Sequence, residues 1–329
     1  MSICVLSYNH ARYLPETLDS ALAQTYPNIE IIIVDDGSKD DSLAIARNYE
    51  AKYPARVKVY THPNHENRGI SRTINLATDS STGSYWSVLG SDDILHKDKI
   101  EKQVAFLEAH PELGFVYCHV DCIDFEGKRI PGRFGRDITS EPEPLRAMLV
   151  ENHIPAMSIV ARREAVARVG DHDPDLIYSD WDFWVRLISL YKGGFIAEAL
   201  ADYRVHGNNI SIGTPRVTQV SHIRDLYFKL LQHVDNGLLD DSYREIIEEQ
   251  IKDLPARQAS WLLIDYYDFL ASGERAKAFR ALKGAWQSAP AVVLSPRRIA
   301  SLLKEAISSL RQSPKIKQNQ VSADPPDLD

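Results

Sequence analysis

Residues 29–34 read IEIIIV, a nearly unbroken β-branched run. Branching at Cβ suits a pleated strand, and a run without polar alternation suits a strand covered on both faces. Such a strand belongs in a parallel sheet, which needs helical crossovers. The surrounding sequence supplies them. Residues 2–6 (SICVL) form a short apolar strand, and residues 14–24 place Leu14, Leu18, Ala21 and Leu22 at helical spacing behind Pro15. After the central run come a helix over 40–52, a strand marked by Val57 and Val59, a helix opening at 67–69 and running to Thr78, and a strand over 85–89. This β-α order predicts a parallel sheet with helices on both faces.

Beyond residue 96 the pattern loosens. Helices are expected over 97–109 and 179–191, and strands over 115–119, 121–125, 157–160 and 194–201. Hairpin-like strands after parallel units predict a mixed sheet. From about residue 215 only helical patterns remain, over 217–234, 240–252, 255–270, 274–287 and 296–311. The expected organisation is therefore a domain over 1–214, a helical region over 215–312 and a disordered tail over 313–329, where apolar residues are few.

Charge and cysteines narrow the functional classes. The net charge of −8 argues against nucleic acid as a partner. Three cysteines, Cys4, Cys118 and Cys122, all in expected strands, suit reduced thiols in the cytoplasm better than a disulfide framework. No run reaches the length of a membrane span, and no signal peptide is expected before the first strand.

The chemistry gathers at strand ends. The run YWSVLGSDD stops at Gly90 and Ser91, and the adjacent acids Asp92 and Asp93 follow. In such sheets ligands bind outside the carboxyl ends of the strands. Two neighbouring acids repel unless water screens them or a cation lies between, and a hard cation shared with a substrate phosphate suits them. Ser7-Tyr8-Asn9, Asp35-Asp36, the helix start Ser179-Asp180 and Tyr203–His206 are the other polar strand ends or turns. Each has a plainer reading: Asp35 as a turn residue, Asp180 as a helix-start acid, His206 as a packed or surface histidine, Arg72 as a solvated charge.

Taken in order, these residues carry a resemblance. The opening run SICVLSYNHARYLPETLDSALAQTYPNIEIIIVDDGSKDDS resembles the start of the family 2 glycosyltransferases of the GT-A fold. Asn67-Arg68-Gly69 with Arg72 and Asn75, then LGSDD, SDWDFWVRL and YRVHGNNIS, resemble that family's later blocks. The resemblance spans about residues 2–212. It implies a GT-A type, Rossmann-like, mainly parallel mixed sheet, and inverting transfer from a nucleotide-sugar to a glycan or lipid-linked acceptor, in surface polysaccharide synthesis. By that resemblance Leu6, Ser7, Tyr8 and Asp36 hold the base, and Arg72 lies near the nucleotide. Asp92 contacts the ribose or the metal shell. Asp93, with Asp92 and His206, holds Mg²⁺ or Mn²⁺, and Asp180 is the general base. Many relatives carry an acid where Gly90 stands, which leaves the division of labour between Asp92 and Asp93 open.

Two other classes compete. A sugar-phosphate nucleotidyltransferase needs a glycine-rich phosphate loop after the first strand, and SYNHARY has no glycine. A degenerate nucleotide- or glycan-binding module has only Gly90 in its favour. Residues 275–317 hold ten basic residues and one acid, and the helix expected at 296–311 has an apolar stripe with Arg297, Arg298, Lys304 and Arg311 off it. Such a helix suits peripheral contact with the inner membrane face, which co-sedimentation with anionic liposomes would report.

Overall fold

A computed structural model describes residues 1–207, 209 and 214–294. The chain forms two compact units, Met1–Gln258 and Ala259–Asp329. The helix expected at 296–311 and the tail at 313–329 lie outside the described residues.

In the first unit the strands are β1 (Ser2–Ser7), β2 (Glu30–Asp35), β3 (Val57–Thr61), β4 (Tyr85–Gly90), β5 (Ile94–Leu95), β6 (Leu113–Ile123), β7 (Arg129–Phe134), β8 (Val160–Arg162) and β9 (Lys192–Arg204). They make one sheet in the order β3-β2-β1-β4-β8-β6-β9-β5, with β7 beside β6. The β1–β2, β1–β4, β2–β3 and β6–β9 pairs are parallel, and the remaining pairs antiparallel. The mixed, mainly parallel sheet is as the pattern predicted. In β2, Ile31 to Asp35 are all buried, as a doubly covered strand requires.

The first-unit helices are α1 (Leu14–Leu22), α2 (Ser42–Lys52), α3 (Ile70–Asp79), α4 (Lys99–Ala109), α5 (Pro144–Val150), α6 (Arg163–Val169), α7 (Ser179–Leu190) and α8 (Arg216–Asp235). Next is α9 (Arg244–Ala271), where two helices were expected; it continues through Pro255. Proline costs an interior helix one hydrogen bond, a cost that surrounding contacts can offset. The second unit adds α10 (Arg275–Ser288) and α11 (Pro290–Val293). Helix α8 begins past the expected boundary but lies within the first unit, where Leu226, Tyr227 and Leu230 are fully buried.

Other differences are local. One strand, β6, replaces the two expected at 115–119 and 121–125, because its full length pairs with β9. The strand expected at 157–160 begins as a helical turn at Ala156–Ser158 and becomes β8 only at Val160. Among the described residues no helix is long and apolar enough to cross a membrane. The three cysteines are free and buried.

Inside the core, Lys99 on α4 is fully buried, and its Nζ has no hydrogen-bond partner among the described residues. Burial pulls its pKa down to about 8, with Cys118 opposing weakly. The folded value lies below the unfolded one of about 10.4, so stability rises as pH climbs between them. Below pH 8 the cost of burying the ammonium is fully present. Lys99→Met should therefore stabilise the protein by about 3 kcal/mol at pH 7, on the scale of 1.36 kcal/mol per pKa unit. Urea denaturation at pH 7 and pH 10 checks this, because the gain should shrink at the higher pH.

Candidate active site

The carboxyl ends of β1, β2 and β4 lie side by side. The Asp36 amide donates to Ser7 O at 2.8 Å, and the Ser91 amide donates to Leu6 O at 3.1 Å. Asp35 is fully buried and builds its own turn. Its carboxylate accepts from Ser7 Oγ at 3.1 Å, Ser38 Oγ at 2.7 Å and the Ser38 amide at 3.0 Å. Ser7 thus spends its hydroxyl on Asp35. Asp36 accepts from the amides of Arg68 at 2.6 Å and Gly69 at 3.0 Å, fixing the loop that leads into α3. Gly37, at φ +76°, lets this loop close, since a Cβ there would sit 2.6 Å from Asn67 N.

Asp92 is the centre of a compact donor group. Its Oδ2 lies 2.9 Å from His206 Nε2, and its Oδ1 lies 3.7 Å from His10 Nδ1. One ligand atom from each of His10, Asp92 and His206 lies within 4.8 Å of the others. Asn209 Nδ2 donates to Asp92 Oδ2 at 3.3 Å, and Asn209 Oδ1 accepts from the His206 amide at 2.6 Å. The Tyr13 ring stacks on His206 at 5.0 Å. One carboxylate and two imidazoles, all oriented by neighbours, form a donor set that fits a divalent cation. Burial, partly opposed by Asp92, lowers the pKa of His10, which favours the neutral ring that a metal requires.

Asp93 lies outside this group. Its Oδ1 accepts from the Arg204 amide at 3.0 Å, and burial, with the Asp92 charge beside it, pushes its pKa well up. The buried Arg204 side chain donates to Asp92 O at 2.8 Å, Asp124 O at 3.3 Å and Glu16 Oε2 at 2.6 Å. Both carboxylates fold over Gly90: a Cβ there would lie 2.8 Å from Asp92 Oδ1 and 2.9 Å from Asp93 Oδ2. A side chain at position 90 would therefore have to displace both carboxylates.

Asp180 sits in the first turn of α7, and Asn152 Nδ2 donates to its Oδ2 at 3.3 Å. Burial raises its pKa, against opposing hydrogen bonds from the Trp181 amide and Asn152. Ser71 Oγ donates to Ser179 Oγ at 2.8 Å, so the start of α7 is tied to the start of α3. The α3 start is in turn fixed by Asp36 through residues 68–69. Asp36, Asp92 and Asp180 each have separate partners: the loop into α3, the His206 and Asn209 side chains, and Asn152. Arg72 lines a hollow of about 810 Å³ beside His62, Arg68 and Asn75. Tyr8 is exposed at the tip of β1, and Leu6 is half-buried.

His10 is the residue that the motif reading did not single out. Its available signal was position alone: it follows the polar strand end Ser7-Tyr8-Asn9 directly.

Solved structures share this architecture. The mannosyltransferase PcManGT of Pyrobaculum calidifontis, in complex with GDP-Man and Mn²⁺, aligns at a TM-score of 0.60 and 18% identity over 94% of this chain and 80% of that one. S. aureus TarS 1–349 in complex with UDP-GlcNAc aligns at 0.55 and 16% identity, over 87% and 90%. The fold is that of the GT-A glycosyltransferases. In sequence, an uncharacterized glycosyltransferase of Rickettsia prowazekii is 30% identical over 242 residues, 70% of this chain and 71% of that one. One from Rickettsia typhi is 32% identical over 63% of this chain and 64% of its own length. Residues 2–170 match the sequence pattern of glycosyl transferase family 2. The chain belongs to that family and is a glycosyltransferase.

Proposed function

We propose that the protein is an inverting, metal-dependent transferase that passes a sugar from a nucleoside diphosphate sugar to a hydroxyl of a glycan or lipid-linked acceptor. The proposed setting is surface polysaccharide synthesis at the cytoplasmic face of a membrane. The observation that supports this best is the Asp92–His206–His10 donor group at the carboxyl ends of β1 and β4. The Mn²⁺ and GDP-Man bound by the Pyrobaculum enzyme and the UDP-GlcNAc bound by TarS support it as likenesses.

The roles follow from position. Asp92 and His206 would hold the cation, Mg²⁺ or Mn²⁺, which when bound would offset charge growing on the departing diphosphate. Arg204 holds both acids in place: its amide donates to Asp93 Oδ1 and its Nε donates to Asp92 O. The Leu6–Tyr8 backbone, Asp36 and Arg72 line the nucleotide side. Asp180 accepts the proton of the acceptor hydroxyl as it attacks the anomeric carbon from the face opposite the leaving group. Its desolvated carboxylate is a stronger base than an ordinary aspartate.

A panel of UDP-, GDP- and dTDP-sugars, each with Mn²⁺, Mg²⁺ or a chelator, tests this. At least one donor should release its nucleoside diphosphate, and the chelator should abolish release. Binding without release from any donor would favour the degenerate binding module.

A further inference from the structure

We propose that His10 is a third protein ligand of the cation and gives the site its preference for transition metals over Mg²⁺. This rests on the metal reading above and assigns a role to a side chain that reading does not need.

The geometry singles His10 out. Its Nδ1 lies 3.7 Å from Asp92 Oδ1, its ring meets that of His206 edge-on at 5.4 Å, and its ligand atom shares the 4.8 Å cluster. The ring is held in place by its backbone. Asn9 takes φ 53°, its amide donates to Ser38 Oγ at 3.0 Å, and its Oδ1 accepts from the Lys39 amide at 2.7 Å. The His10 amide donates to Ser42 Oγ at 3.0 Å. The turn after β2 thus presents the imidazole to the end of β4.

Composition then decides the preference. Gly90 has no side chain to offer a ligand atom, and Asp93 is committed to the Arg204 amide. One carboxylate and two imidazoles remain. Mg²⁺ takes oxygen ligands in near-ideal octahedra, whereas imidazole favours later transition metals such as Co²⁺ and Zn²⁺. The plainer role for His10 is to brace Ser91, whose Oγ lies 2.8 Å from its Nδ1. That role predicts no change in metal selectivity.

The test is direct cation binding by the full chain, without turnover. Co²⁺ is titrated by its visible absorption and Mn²⁺ by electron paramagnetic resonance, each metal alone and then with UDP or GDP. Mg²⁺ is measured by competition. Circular dichroism confirms folding of each variant. His10→Ala should weaken Co²⁺ binding by at least about tenfold, since even supporting residues cost 10–100-fold, while changing Mg²⁺ affinity much less. His10→Asp should move the preference toward Mg²⁺. An unchanged Co²⁺-to-Mg²⁺ ratio in both variants, with binding lost in Asp92→Ala, overturns the His10 assignment and leaves the metal reading intact. If the unaltered chain binds no cation in any arm, the metal reading falls and this inference with it.

Discussion

Asp180→Asn should cut sugar transfer by about 10²–10⁴-fold, the usual worth of a positioned base. Nucleotide affinity should stay unchanged, because Asp180 contacts Asn152 and its own helix start rather than the Asp92 group. Stability should hold or rise. Burial lifts the pKa of Asp180 above its unfolded value, so the folded state binds that proton more tightly. Ionised Asp180 then costs stability at neutral pH, and a neutral amide removes the cost. The same shift sets a pH profile for the parent enzyme: transfer should fall as acid protonates Asp180, at a pH higher than an unperturbed aspartate would give. Steady-state kinetics against pH, with calorimetric titration of the nucleotide, checks all three expectations. Transfer retained by Asp180→Asn removes this residue as the base.

Two residues along the same helix the expectation reverses. Asp182 accepts from Arg186 Nε at 2.8 Å and lies 2.7 Å from His233 Nε2, and all three side chains are buried. The pair ties α7 to α8. Asp182→Ala leaves a guanidinium and an imidazole buried without their carboxylate, and breaking a buried pair costs about 3–5 kcal/mol. Arg186 keeps the carbonyls of Val169 and Asp171, which argues for the lower end. Burial pushes the Asp182 pKa up, but His233 and Arg186 outweigh it and the net shift is downward. That stabilisation is present above the unfolded carboxylate value of about 3.9 and is lost as pH falls through the folded value. The gap between parent and variant should therefore be widest near neutrality and close in acid. At about 2–4 °C per kcal/mol for a unit of this size, melting should drop by roughly 10 °C. An unchanged midpoint at pH 7 would sink this account.

Local pattern made much of this legible. The apolar runs of β1, β2 and β4 announce themselves because buried parallel strands need no polar face. Asp92 and His206 were readable as polar residues at strand ends, and the structure puts them 2.9 Å apart. The different surroundings of Asp92 and Asp93 were not readable. They depend on Arg204, whose amide β9 delivers to Asp93 from far along the chain. His10 was missed for a related reason: a lone histidine in a loop has no spacing that marks it as a ligand. Helices α5 and α6 are short, at seven residues each, so their periodicity was too brief to register. Pro255 misled in the other direction, because a proline inside a helix is a penalty and not a prohibition.

The Asp92 cluster has a consequence for how the chain matures. Its contacts span 81 residues between His10 and Ser91 and 114 between Asp92 and His206. Loops of that length close late, after the entropy of bringing distant segments together has been met. The Asp92–His206 contact should thus form only once β9 has docked. A nascent polypeptide ending near residue 200 would carry His10 and Asp92 but still lack His206.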